Sequence, residues 1–275
     1  MAPLPQLETL FERPHGSPVP LPGPLRDCYG GDLSFPEGRL VFANFVSTID
    51  GLVSFGLPGL AGAAVISKGN AGDRAVMGIL RAAADVVVSG AGTLRAEPKV
   101  TWTPQQVYPQ AAELFREMRR ARGLPERTRV AIVSASGEID LSLAVFRSPD
   151  VEPLIVTSVA GAERLAGRTG EVPLRAVGER EPSMRDVIDA VVHETGARLI
   201  LSEAGPTLFG RMLEERVVDE LFLTVSPHVA GRSEERRGTS LVEPTAFHPE
   251  RAPWADLLSV KRSEDYLLLR YAFRR

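Results

Sequence analysis

Arg198-Leu199-Ile200-Leu201-Ser202-Glu203-Ala204-Gly205-Pro206-Thr207-Leu208-Phe209-Gly210-Arg211 is the stretch whose reading decides the fold. Leu199 to Leu201 form a short apolar run of the kind a buried strand makes. Gly205 permits a tight turn and close approach of backbone to a ligand. Pro206 suits the first helical position, where its missing N–H costs nothing, and a helix is expected from about Thr207 to Glu215. A buried strand thus feeds a helix N-terminus through a small-residue turn. That arrangement aims free N–H groups and the positive end of a helix dipole at one point, a natural seat for phosphate. It is equally the form of a plain strand–helix connection with no ligand. Glu203 falls at the carboxyl end of the strand, where open α/β sheets bind ligands.

Working outward, the same pattern recurs. Leu40 to Ser47 is a dense strand signal running into Asp50-Gly51, which reads either as a turn or as the mouth of a site carrying Ser47 and Asp50. Gly69 to Ala84 reads as a helix with Val76, Leu80 and Ala84 on one face. It is followed by a buried strand, Asp85 to Val88, and a second small-residue turn, Ser89-Gly90-Ala91-Gly92-Thr93. That turn lacks the full G-x-G-x-x-G fingerprint, but glycines at 90 and 92 let backbone approach a polyphosphate. A helix over 108–122 is expected, with Arg116, Arg119, Arg120 and Arg122 as its solvated face. Strands follow at 129–133, 154–157 and 172–177, and a helix near Glu163. Ser183 caps a helix through Thr195, with Asp186 as the N3 acid of a capping box. A strand opens at Leu221 and could continue to Val229, and a hairpin over 257–260 and 266–273 closes the chain. Alternating strands and helices imply an α/β fold: a mixed, mostly parallel sheet with helices on both faces and a C-terminal antiparallel hairpin. Residues 1–38 are proline-rich and read as an extended N-terminal arm or loose chain with a short helix at Leu7 to Phe11, and residues 39–275 as one domain.

Composition limits the function classes. Apolar residues are 44%, charged residues 24% and the net charge is -3, so the chain has no electrostatic footprint for nucleic acid. No run approaches a membrane span, and the N-terminus has no secretory pattern, which points to a cytoplasmic protein. Cys28 is the sole cysteine and the four histidines are scattered, so neither a disulfide nor a metal site is expected.

Three segments in register carry a resemblance: Ser47-Thr48-Ile49-Asp50-Gly51, Leu80-Arg81-Ala82 with the 85–93 turn, and Glu203 to Leu208 with Val218-Asp219-Glu220-Leu221. Together they resemble the pyrimidine reductase domain of riboflavin biosynthesis, the C-terminal half of the bacterial deaminase–reductase, which has a dihydrofolate-reductase-like fold. The resemblance spans roughly residues 40–275. It implies an NADPH-dependent oxidoreductase that reduces a ribosylaminopyrimidine phosphate, of the 5-amino-6-(5-phosphoribosylamino)uracil type, to its ribityl form. It implies Glu203 and Arg81 as substrate contacts, and Ser47, Thr93, Glu97, Ser134 and Gly205-Pro206-Thr207-Leu208 as cofactor contacts. Asp50 and Glu203 are the candidate acids. A homodimer is also implied, with the strand from Leu221 and the closing hairpin as the available interface. The deaminase signature H-x-E…P-C-x-x-C is absent. Val65-Ile66-Ser67 replaces a tryptophan-containing segment, Glu97-Pro98 stands for an acidic pair before proline, and Thr103 lies near an expected arginine. These departures fall mostly on the substrate side. They leave open a dihydropterin or dihydrofolate substrate, or a nucleotide-binding regulatory protein without turnover.

Overall fold

The computed structural model describes residues 4–57, 62–233 and 237–275. Its main sheet is built from ten strands: β1 (Glu8–Glu12), β2 (Leu40–Thr48), β3 (Val86–Gly90), β4 (Thr128–Ser134), β5 (Val151–Thr157), β6 (Leu174–Ala176), β7 (Leu199–Ser202), β8 (Glu220–Ser226), β9 (Ala255–Ser263) and β10 (Tyr266–Phe273). Their order across the sheet is β1-β9-β10-β8-β2-β7-β3-β4-β5-β6. From β8 to β6 all neighbours run parallel, while β10, β9 and β1 add antiparallel strands.

Strand parity divides the core into two layers, because successive side chains point to opposite faces. Phe42, Val87, Ile132 and Leu201 pack on one face with α1 (Ala71–Ala83) and α2 (Ala112–Ala121). Val41, Val88, Ala131 and Ile200 pack on the other with α3 (Met184–Thr195) and α4 (Pro206–Glu214). Buried on both faces, the central strands read as unbroken apolar runs, which is why they were visible in the sequence. The caps follow the expected chemistry: the Ser183 hydroxyl accepts from the Asp186 N–H at 3.0 Å, and Asn70 accepts from the Asp73 N–H at 3.0 Å.

Four expectations are corrected. Leu7 to Phe11 is not a helix; residues 8–12 form the edge strand β1, antiparallel to β9. The proline-rich segment instead places a helix at Gly23–Tyr29, entered at Pro22 and closed by Gly30 at φ 73, and it buries Leu25, Cys28 and Tyr29 in the core. Burial pushes the Cys28 thiol up to about 11, so it is an inert packing group. The 108–122 helix starts late, at Ala112, because the chain passes first through a 3₁₀ turn at Pro109–Ala111. Arg119 is not solvated: it is 3% exposed and donates to the carbonyls of Ala84, Pro125 and Arg127. Finally, β8 stops at Ser226 instead of continuing to Val229, and lies inside the sheet between β2 and β10, so it has no free edge for pairing.

The N-terminal segment is bound by buried charge. The Arg270 Nε donates to Glu220 Oε2 at 2.8 Å, Arg270 also reaches the Ser34 carbonyl, and His15 Nε2 lies 2.7 Å from Glu220 Oε1. The Arg270 guanidinium sits 4.9 Å from the ring centres of both Phe35 and Phe222. With side chains 3% and 1% exposed, neither partner has water as an alternative. Glu220→Ala is therefore expected to cost about 3–5 kcal/mol, because it leaves an uncompensated buried guanidinium. Denaturant unfolding checks this, and the Glu220→Leu/Arg270→Leu pair should cost less than Glu220→Ala alone.

Candidate active site

Two cavities open at the carboxyl ends of the parallel strands and share Gly92, Thr93 and Gly205 on their common rim. The first, about 530 Å³, lies between the end of β2, the start of α1 and the turn after β7. The second, about 470 Å³, lies between the turn after β3, the end of β4 and the N-terminus of α4. A larger concavity of about 610 Å³ sits around Arg39, Asp219 and Trp254, at the strands' amino ends. It is set aside because ligands of open α/β sheets sit at carboxyl ends, where strand-to-helix turns expose backbone N–H groups.

The wall of the first cavity is dominated by one ion pair. Arg81, late in α1, donates through Nε to Glu203 Oε1 at 2.9 Å and through Nη2 to Oε2 at 2.6 Å; its Nη1 reaches the Thr103 carbonyl at 3.3 Å. The side chains are only 6% and 9% exposed, so this is a bidentate, water-poor contact. Two further carboxyls line the same cavity. Asp73 is 3% exposed. Burial pushes its carboxyl above the ordinary range and the charge of Glu203 adds to this, against the opposing pull of the Thr224 and Ser67 hydroxyls and of Arg74. Glu97 is also raised, first by burial and then by Glu203, while Arg81 and the Ala63 N–H oppose the shift. Gly62 is what admits Glu97 there: a Cβ at residue 62 would lie 2.4 Å from its Oε1. Trp102, 1% exposed and held at φ 55, and Phe45 complete the apolar part of the wall.

The second cavity collects backbone, hydroxyl and guanidinium groups around a helix N-terminus. Gly205 caps α4 at φ -68, Pro206 takes the first helical position, and Thr207 and Leu208 follow on the wall. Arg95 and Arg211 bring guanidinium groups to this cavity, and Ser134 and Ser136 line it from the end of β4. At Gly92 an added Cβ would meet no atom within 4 Å, so the backbone there faces open space.

Among family models, that of the RibD C-terminal domain matches residues 39–267. The chain belongs to the RibD C-terminal domain family. Comparison with curated proteins yields no match. Among solved structures, this RibD-family chain is similar to Acinetobacter baumannii RibD, with a TM-score of 0.63 at 17% identity over 86% of this chain and 59% of that one. It is similar to a pyrimidine reductase-like protein from Corynebacterium diphtheriae, with a TM-score of 0.63 at 22% identity over 86% and 92%. It is also similar to the Thermotoga maritima diaminohydroxyphosphoribosylaminopyrimidine deaminase/5-amino-6-(5-phosphoribosylamino)uracil reductase, with a TM-score of 0.63 at 14% identity over 86% and 57%. The chain thus spans less than two thirds of the Acinetobacter and Thermotoga proteins. At these identities the likeness establishes the fold, the dihydrofolate-reductase-like architecture that the sequence implied.

Within this RibD-family fold, Glu203 and Arg81 line the first cavity, Thr93 and Gly205 line both, and Ser134, Pro206, Thr207 and Leu208 line the second. The structure places the other expected positions as follows. Arg81 lines the first cavity with its fork engaged by Glu203. Glu97 lines the first cavity rather than the second, with its carboxylate turned to the Ala63 N–H. Ser47 is a buried strand residue on neither wall, as β2 carries Asn44, Phe45 and Val46 to the cavity instead. Asp50 also lines neither cavity. It accepts from the Thr48 hydroxyl at 2.6 Å and from the N–H groups of Ala230 and Gly231 at 3.0 and 2.8 Å, and these bonds hold it well below the usual carboxylate range. Among the wall residues with no assigned role in the sequence are Asp73, Trp102, Arg95 and Ser136. Asp73 carried a signal, an acid in a helix's first turn, but that is also the ordinary mark of a helix start.

Asp50 therefore fastens the 228–231 loop to the turn after β2. Its folded-state affinity for protons is depressed, so the clamp is present at neutral pH and is lost only as pH falls well below the usual carboxylate range. Asp50→Ala is expected to speed amide exchange at Ala230 and Gly231 and to leave any turnover within a few-fold of wild type. A large loss of turnover with unchanged exchange would return Asp50 to the chemistry.

Proposed function

We propose that the chain is a reductase that takes NADPH in the second cavity, with its nicotinamide reaching the shared rim, and reduces a ribosylaminopyrimidine phosphate held in the first. Carrying this reading is the continuity of the two cavities across Gly92, Thr93 and Gly205. The second cavity offers what a dinucleotide phosphate needs: helix N–H groups, close backbone and guanidinium groups at Arg95 and Arg211. The open space at Gly92 fits a bound phosphate there. The family membership and the reductases among its structural relatives support the same reaction class.

Bound NADPH supplies hydride at the nicotinamide C4. The chain's part is to hold the electrophilic carbon of a C=N bond, formed by opening of the ribose ring, beside that position and to exclude water. Phe45 and Trp102 supply the dry wall for a flat heterocycle. Glu203, fixed by Arg81, presents an acceptor to substrate N–H or O–H groups. Because Arg81 is already engaged, the substrate phosphate needs another partner, and Arg74 is the second guanidinium on that wall. Arg95 is our choice for the 2′-phosphate contact that would favour NADPH over NADH. Association as a homodimer in the cytoplasm belongs to this reading. The surface that supports it is β1, an edge strand exposing Leu10 at 50% and Phe11 at 40%, in place of the buried β8. Light scattering should then give twice 29.7 kDa, and a mass of 29.7 kDa would count against pairing.

The deciding experiment is oxidation of NADPH by the purified chain with the ribosylaminopyrimidine phosphate, beside a dihydropterin and a dihydrofolate. Turnover with the first substrate alone supports the reading, and turnover with none favours a binding protein. Gly92→Val places its side chain in open space, so it should fold normally and lose about tenfold or more in NADPH affinity through blocked backbone approach. Normal NADPH binding by that variant would move the phosphates elsewhere.

A further inference from the structure

We infer that Asp73 is the acid of this site: as hydride reaches the carbon of the substrate's C=N bond, Asp73 delivers the proton to the nitrogen. The inference rests on the reduction proposed above. Asp73 holds the third position of α1, where an acid ordinarily reaches back to the N–H of the capping residue. Here that N–H, on Asn70, bonds to the Ser67 carbonyl at 2.9 Å, and the Asn70 side chain caps the Asp73 N–H. The Asp73 carboxyl is thereby released from helix capping. It is turned instead into the wall of the first cavity, 3% exposed, against the hydroxyls of Ser67 and Thr224.

The other acids on that wall are committed. Glu203 accepts two hydrogen bonds from Arg81, one on each carboxylate oxygen. Glu97 is turned to the Ala63 N–H at the start of another helix. The charges acting on Asp73 are Glu203 across the cavity, which disfavours its ionisation, and Arg74 beside it, which favours it; burial is the largest influence and shifts the carboxyl toward its neutral form. A carboxylic acid kept neutral by an apolar wall can donate where an exposed one has already ionised. In the step, the hydride's electron pair forms the new C–H bond and the C=N π pair moves to nitrogen. Nitrogen takes the proton from the Asp73 Oδ–H bond, whose electrons stay on the carboxylate. The substrate is reduced, the nicotinamide is oxidised, and water reprotonates Asp73.

Asp73→Asn in the full chain tests this with two readouts. In the infrared difference between wild type and variant at neutral pH, a protonated carboxyl band belonging to Asp73 is expected. A carboxylate band in its place overturns the proposal. In single turnover with NADPH, the hydride step should fall about 10²–10⁴-fold, as loss of a general acid implies, with NADPH affinity unchanged. A rate within a few-fold of wild type, or a loss confined to KM, overturns it. If Asp73→Asn does not fold, Ser67→Ala/Thr224→Val removes the two hydroxyls that favour the ionised form. That pair should move the alkaline fall in wild-type rate to higher pH, and a shift to lower pH or none overturns the proposal. Wild type without turnover would defeat the reduction reading. The infrared band would then decide Asp73 separately, its presence supporting a neutral acid and its absence overturning it.

Discussion

The bidentate contact between Arg81 and Glu203 is the constraint on which the site depends. It ties α1 to the turn after β7, two elements 122 positions apart in the chain, across the central strand order β2-β7-β3. Taking two charges out of water is costly unless geometry is good and the remaining hydrogen-bonding capacity is used. Both conditions hold: two parallel N–H···O contacts are made, and the third guanidinium nitrogen finds the Thr103 carbonyl. The pair thereby fixes the 102–103 segment as well, and with it the Trp102 wall. One charge pair thus sets three sides of a cavity, and its negative end contributes to raising the carboxyls of both Asp73 and Glu97.

The proposed division of labour between the two cavities rests on the same geometry. Strand ends that deliver glycine and a helix N-terminus make a surface for anions, as around Gly205 to Leu208. Strand ends and helix faces that deliver carboxyls and aromatic rings make a surface for a hydrogen-bonding heterocycle, as around Glu203 and Trp102. The shared rim at Gly92, Thr93 and Gly205 is small enough for backbone to meet a ligand from either side.

The sheet was legible in the sequence because buried parallel strands are apolar runs and small-residue turns punctuate them. The Gly205-Pro206 turn was legible for the same local reason. Arg81 was not: a guanidinium reads as a free cation until its partner from another segment is known, and here that partner was the neighbouring candidate Glu203. Asp73 was hidden because its environment is assembled from Ser67, Thr224 and Glu203, each from a different element. The proline-rich N-terminal segment misled in another way. Pro18, Pro20, Pro22 and Pro24 obscured a helix whose entry one of them makes at Pro22.

The edge strand β1 has a consequence for how the chain assembles. Glu8 pairs with Arg262 at a separation of 254 positions, so β1 has no partner in the sheet until that distant segment has been made. Its apolar residues Leu10 and Phe11 must remain uncollapsed, or held by other surfaces, through that interval. Pairings this remote form late and slow the completion of a fold. β1 is therefore made long before the strand it pairs with, and until that pairing forms an apolar strand edge stays open to other chains.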